Sequence, residues 1–146
     1  MTHSTKYNVL FLCTGASCRS QMARGFAQAR WGDRMEAYCA GTKPRGVNPL
    51  AVRVMAEAGV DISGSPSLHV DALSHIPFDL VVTVCGGAAE GCPVFHGSAK
   101  VTHRPFDDPP QLARGAKTEE EALAHYRRVR DEIGVFIEML PHLLNP

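Results

Sequence analysis

The chain has no excess charge of either sign: fifteen Lys and Arg residues balance fifteen Asp and Glu over 146 residues. That argues against a nucleic-acid surface or a membrane-attracted face, both of which need clustered cations. No apolar run approaches the ~20 residues of a membrane-spanning helix. The start, Met1 to Lys6, is polar and has no apolar leader stretch, so a cytoplasmic protein is expected. There is no repeat, no low-complexity tract and no composition break. Residues 1–146 are therefore read as a single domain, long enough to bury a sizeable core. What the chain does have is five cysteines. In a reducing compartment, thiols in that number point to chemistry rather than to structural disulfides.

The cysteines begin in the stretch Cys13-Thr14-Gly15-Ala16-Ser17-Cys18-Arg19-Ser20. Before it stands an apolar, β-rich run, Tyr7 to Leu12, and after it a run with helical spacing, Gln21 to Trp31. This reads as strand, tight loop, helix. Such a loop turns its backbone N–H groups inward, and the helix behind it adds a positive dipole end. The result is an oxyanion cradle. Cys13, where the strand ends, would face the bound anion. Arg19, six residues on, can fold back and grip two anion oxygens with its planar fork. The same field favours a nucleophilic thiolate at Cys13. The alternative is a buried structural cysteine beside an unrelated arginine; strand, spacing, Gly15 and helix together favour the cradle.

Further along, Met22, Phe26 and Ala29 mark the inner stripe of the first helix, with Gly25 a mild weakness in it. Met35 to Ala40 reads as a second strand, ending at Gly41. A loop, Lys43 to Val47, leads to a helix capped by Asn48-Pro49 and stopped by Gly59. A polar loop, Asp61 to Ser67, precedes a short helical piece between Val70 and His75. Phe78 to Val84 is the clearest buried strand, and it runs directly into Cys85. Ala99 to His103 is a fourth strand, followed by a long loop, Arg104 to Gly115, holding Asp107-Asp108-Pro109-Pro110. The last helix begins at Thr118 with a capping box completed by Glu121. Its apolar stripe is Ala122, Tyr126, Val129, Ile133, Phe136 and Leu140, and Arg127, Arg128 and Arg130 are read as a solvated face. Strands alternating with helices predict an α/β three-layer fold, a four-stranded parallel sheet with helices on both faces, and its order is taken as 2-1-3-4. Sites in such sheets lie at the carboxyl ends of the strands, at the switch point. In that order Cys13 and Cys85 end neighbouring strands ~4.8 Å apart.

Cys13, five residues, Arg19 and Ser20 after a strand resemble the signature of the protein tyrosine phosphatase superfamily, in its low-molecular-weight branch. A second segment sharpens the resemblance: Cys85-Gly86-Gly87-Ala88-Ala89-Glu90-Gly91-Cys92-Pro93. A purely hydrolytic phosphatase has no need of these two cysteines. Together with Phe106-Asp107-Asp108-Pro109, Thr118 to Glu121 and Arg128 to Gly134, the pattern looks like the thioredoxin-coupled arsenate reductases of that superfamily, from about Tyr7 to about Ile137.

The resemblance implies a relay. Arsenate binds in the loop formed by Thr14, Gly15, Ala16, Ser17, Cys18, Arg19 and Ser20. Cys13 attacks arsenic, with Asp108 matching the general acid and Asp107 the fallback. Cys85 then attacks Cys13, and Cys92 resolves that disulfide into a Cys85–Cys92 pair that thioredoxin reduces. No bound cofactor or metal is implied, and a monomer is expected. A helical 85–92 segment would hold the two Cα atoms ~10 Å apart. A disulfide needs less than about 7 Å, so the segment must unwind or bend, eased by Gly86, Gly87 and Gly91.

Other roles are weighed beside these. Cys18 and Cys39 are expected to be structural. A zinc site from Cys85, Cys92 and His96 has the wrong spacing. Ser17 and Ser20 can donate to the Cys13 thiolate, Ser20 the better placed, with helix capping as its alternative. His103, just upstream of the Asp loop, is the nearest of the histidines to a role, and none is assigned one. Ala16 and Arg24 stand where several relatives carry Asn and Glu that help hold potassium; neither offers a side-chain oxygen, so no potassium site is expected. His103 to Asp108 lacks the Trp and Gly common in that run. Two other functions fit parts of the pattern. A low-molecular-weight phosphatase would use Cys13, Arg19 and Asp108, although Pro109-Pro110-Gln111 lacks that branch's aromatic platform. An oxyanion-binding redox sensor would use the Cys85–Cys92 pair.

Overall fold

The computed structural model describes residues 6–86, 93–95 and 97–144. Cys92, Gly87, Gly91 and His96, and with them the expectations placed on the 87–92 segment, lie outside the described residues. The elements run β1 (Tyr7–Leu12), α1 (Arg19–Trp31), β2 (Met35–Gly41), α2 (Pro49–Glu57) and β3 (Leu68–His69). A 3-10 turn (Val70–Leu73), β4 (Leu80–Thr83), β5 (Lys100–His103), α3 (Pro109–Ala113), α4 (Glu119–Glu138) and α5 (Leu140–Leu144) follow.

The strands pair in parallel in the order β3-β2-β1-β4-β5. The four longer strands therefore stand in the expected order, and among the described residues the sheet has five strands rather than four. The addition is β3, two residues pairing with Ala40 and Gly41 at the edge; a strand that short has no alternation to read.

β1 is central because both its faces are apolar. Val9 and Phe11 enter the core shared with α1, α2 and α4, while Leu10 and Leu12 pack on the other face with Leu73, Tyr38, Phe78 and Phe95. Each fully buried Leu or Phe of this kind contributes roughly 1.5–3 kcal/mol. Helix α1 presents Met22, Ala23, Phe26 and Ala27 to the core, and Ala29, expected there, faces solvent. The buried face is wider than the 22, 26, 29 stripe and is turned toward Ala23 and Ala27, and it ends before Ala29 in the last turn of the helix. Gly25 is a contact rather than a weakness: a Cβ there would stand 2.7 Å from Ile62 Cγ2.

The caps follow the sequence. Asn48 Oδ1 accepts from Leu50 N and Ala51 N, and Thr118 and Glu121 form the reciprocal capping box. Gly59 takes φ +81, the left-handed stop for α2. Arg127, Arg128 and Arg130 differ from expectation, because they are paired rather than merely solvated. Arg127 and Arg130 both reach Glu57 of α2, and Arg128 reaches Asp107. The long loop after β5 also differs, since it contains α3. Two prolines at the start of that helix suit its first turn, where no N–H is needed.

Candidate active site

The site begins with peptide geometry. From Thr14 to Cys18 every carbonyl oxygen is taken by a donor outside the loop. Thr14 O accepts from Lys43 N at 2.9 Å, Gly15 O from Arg45 N at 2.9 Å and Ser17 O from Asn48 N at 2.9 Å. Ala16 O accepts from Gln21 Nε2 and Ser67 Oγ, each at 2.9 Å, and Cys18 O from Met22 N at 2.9 Å. In a trans peptide the N–H points opposite to the C=O. Carbonyls held outward therefore turn the N–H groups of residues 15–19 inward, which is the cradle the sequence called for. Ala16 sits at φ 46, a left-handed conformation that costs a non-glycine residue about 1–2 kcal/mol. Its two donors hold it there.

Helix α1 starts at this loop with no side-chain cap and no acidic residue in its first turn. Its positive end is thus left for an anion. Ser20 Oγ lies 3.0 Å from Cys13 Sγ, the placement preferred above over a helix cap, in a thiol–hydroxyl hydrogen bond that a thiolate would receive from the serine. Cys13 itself is nearly buried at the strand end. Gly41 lets β2 approach the loop: a Cβ there would collide with Thr14 O and stand 2.6 Å from Cys13 O.

The acid loop is brought over from the far edge of the sheet. Phe106 is buried against Phe136, its N–H bonded to Val84 O at 3.1 Å and its carbonyl accepting from Arg19 Nη1 at 2.9 Å. Two residues on, Asp108 precedes α3 but makes no cap bond to it, and its Oδ1 lies 3.7 Å from Arg19 Nη2. Asp107 points elsewhere, 2.8 Å from Arg128 Nη2 at the surface. Geometry thus separates two neighbours that the sequence left as first choice and fallback.

A cavity of about 330 Å³ is bounded by Cys13, Thr14, Gly15, Ser17, Cys18 and Arg19 on one side and by Asp108 on the other. Ala16 and Ser20 stand behind it, Ala16 as a backbone support and Ser20 beneath the Cys13 sulfur. Arg45, Gln111 and Arg114 also line it, and the sequence reading missed all three. The loop Lys43 to Val47 leaves the carboxyl end of β2, which is a signal for Arg45. Arg114 lies beyond an unexpected helix and had none. A larger cavity, about 580 Å³, lies on the opposite face by Leu73, Phe78 and Phe95, with no cysteine or arginine among its described lining residues.

The other thiols divide by environment. Burial pushes the Cys18 thiol well above the ordinary range, with the Asp108 charge adding to it. Burial pushes Cys39 up to about 12. Both are expected to stay protonated and unreactive at neutral pH. Cys85 is buried, close beyond the end of β4, and is disulfide-bonded, whereas Cys13, Cys18 and Cys39 are free thiols. Arg24, for which no potassium-holding role is expected, donates to Ala37 O at 3.3 Å and to Ser65 Oγ at 3.5 Å. No cluster of three or more metal-ligating side chains occurs among the described residues.

The sequence pattern of the low molecular weight phosphotyrosine protein phosphatases matches residues 8–140. The chain belongs to this family. Within reach of the family's loop and acid, the relatives point to a particular branch. The chain is 50% identical to an arsenate reductase of Bacillus subtilis over 86% of this chain and 88% of that one. It is 48% identical to an arsenate reductase of Bacillus licheniformis, over 89% and 91%. Among solved structures, an arsenate reductase in its oxidized state superposes with TM-score 0.75 at 26% identity, covering 94% of this chain and 98% of that one. An arsenate reductase in a phosphate-binding state gives TM-score 0.74 at 27% identity, over 95% and 99%.

Proposed function

We propose that this family member, acting as one domain over residues 1–146, is an arsenate reductase. The observation that carries the reading is a free Cys13 thiol in an anion cradle beside a buried Cys85 that is already disulfide-bonded. The named relatives add to it. In the proposed cycle, arsenate sits in the 14–20 loop with Arg19 gripping two oxygens. The Cys13 thiolate attacks arsenic, and one oxygen leaves as water after taking a proton from Asp108. Cys85, as thiolate, attacks Cys13 Sγ. The S–As bond breaks, its electron pair stays on arsenic, and arsenite leaves. Cys92 then attacks Cys85, freeing Cys13 and leaving a Cys85–Cys92 disulfide for the dithiol of thioredoxin to reduce. A disulfide at Cys85 with Cys13 free is the state this cycle reaches before regeneration. Such a protein would work in the cytoplasm as a monomer, with no bound cofactor or metal.

The family as a whole favours a second reading, phosphate ester hydrolysis by Cys13, Arg19 and Asp108. One experiment separates the two: arsenate-dependent NADPH oxidation with thioredoxin and thioredoxin reductase, wild type against Cys92→Ser. Sustained turnover by wild type and none beyond one cycle by the variant is expected. Absence of turnover by wild type, with p-nitrophenyl phosphate consumed by both, would replace the reductase reading with the phosphatase one.

A further inference from the structure

Of the eleven arginines, nine have a partner among the described residues. Arg19, Arg30, Arg53, Arg127, Arg128 and Arg130 meet carboxylates. Arg24 and Arg104 meet carbonyls, and Arg34 lies over the Trp31 ring. The side chains of Arg45 and Arg114 meet no acid, carbonyl or ring among the described residues, and both line the Cys13 cavity. Guanidinium groups on this surface are otherwise consistently paired, so two left open on one cavity wall are a charge arrangement awaiting a ligand.

Each is fixed at its base. The Arg45 N–H donates to Gly15 O at 2.9 Å, and its chain runs alongside the loop, so that a Cβ on Gly15 would stand 3.4 Å from Arg45 Cδ and 3.7 Å from Nε. Arg114 ends α3, with its N–H donating to Gln111 O at 3.3 Å, on the helix that begins after Asp108. The cavity also exceeds what one tetrahedral oxyanion needs. At about 330 Å³ it has room for roughly ten waters at about 30 Å³ each, and it falls at the low end for small organic ligands. Arg19 and the loop N–H groups account for one anionic group. The one carboxylate among the described lining residues, Asp108, is set against Arg19.

We infer that Arg45 and Arg114 form a second anion subsite at the mouth of the cradle, so that the site also takes phosphate monoesters that carry a second negative charge a few bonds from the phosphorus. The inference rests on the 14–20 loop being the oxyanion cradle proposed above. It concerns binding only, and it gives the two arginines the role of selecting ligands by their second charge.

The test compares ethyl phosphate with phosphoglycolate, which share the phosphate ester and differ by a carboxylate in place of a methyl. Both, and inorganic phosphate, are titrated calorimetrically into the Cys13→Ser protein, which cannot turn them over. Phosphoglycolate is expected to bind about tenfold more tightly than ethyl phosphate, the scale of one charge-assisted contact. In Cys13→Ser carrying Arg45→Gln and Arg114→Gln, that advantage should fall to within about twofold while ethyl phosphate binding changes little. Both side chains are exposed, so the folded structure should tolerate the substitutions. Equal binding of the two esters, or an advantage that survives the double substitution, overturns the subsite while phosphate binding keeps the cradle. No binding of any of the three overturns both.

Discussion

Asp107 and Asp108 are chemically identical and adjacent, so only their surroundings assign roles. Asp108 is held within the cavity beside Arg19, and Asp107 is spent on an exposed pair with Arg128. Under the proposed assignment, Asp108→Asn lowers kcat for arsenate reduction about a hundredfold or more, the usual contribution of a positioned acid. Asp107→Asn leaves kcat within about twofold and costs under about 1 kcal/mol of stability, as for a surface ion pair. Steady-state kinetics with a denaturation curve for each variant checks both, and the reverse ranking would move the acid to Asp107. Of this pair of facts the sequence supplied the candidates. The choice between them needed Phe106, anchored against Phe136, to aim the loop.

The anion loop is an element whose shape is imposed from outside. Lys43, Arg45, Asn48, Gln21 and Ser67 hold its carbonyls, and Gly41 gives it room. A methyl at Gly41 meets backbone atoms that have no rotamer to yield, so the loop itself must shift. Gly41→Ala is therefore expected to lower stability by about 1–3 kcal/mol, the cost of overpacking. It should also weaken inorganic phosphate binding by at least about tenfold, since N–H groups displaced by a fraction of an ångström lose their common focus. Thermal denaturation and phosphate titration of the same protein read both effects; unchanged phosphate affinity would show that the loop keeps its shape without this close approach. The loop and its helix were legible because they are continuous in sequence. The outer donors were not, since they come from positions up to 52 residues away from the carbonyl they hold.

For the whole molecule, acid stability follows from how α4 is fastened to α2. Hydrogen bonds first from Arg127 and then Arg130 hold the Glu57 carboxyl down to about 2, against an ordinary value of 4.5. The folded state thus binds this proton less readily than the unfolded chain. The stabilisation is fully present above about pH 4.5 and is lost as pH falls toward about 2. The urea midpoint of Glu57→Gln should lie modestly below that of wild type at pH 6, since the group is exposed, and the gap should close between those two values. A gap that stays constant with pH would mean that packing, not charge, joins the helices here. In sequence these arginines sit on the outer face of a long helix, which is why they read as merely solvated.

The sequence by itself determined the local steps: the apolar run of β1, the cradle spacing from Cys13 to Arg19, the Asn48 and Thr118 caps, and the alternation of strands and helices that makes a parallel sheet. Each rests on neighbours within a few residues or on the pattern of successive elements. The tertiary structure alone decided what depends on distant residues meeting. It held the Ala16 carbonyl outward through Ser67, 51 residues away, and it brought Asp108 beside Arg19. It also placed Arg45 and Arg114 on one wall of one cavity. Hydrogen-bond geometry and close approach act over a few ångströms of space, and the chain alone does not say which residues come that near.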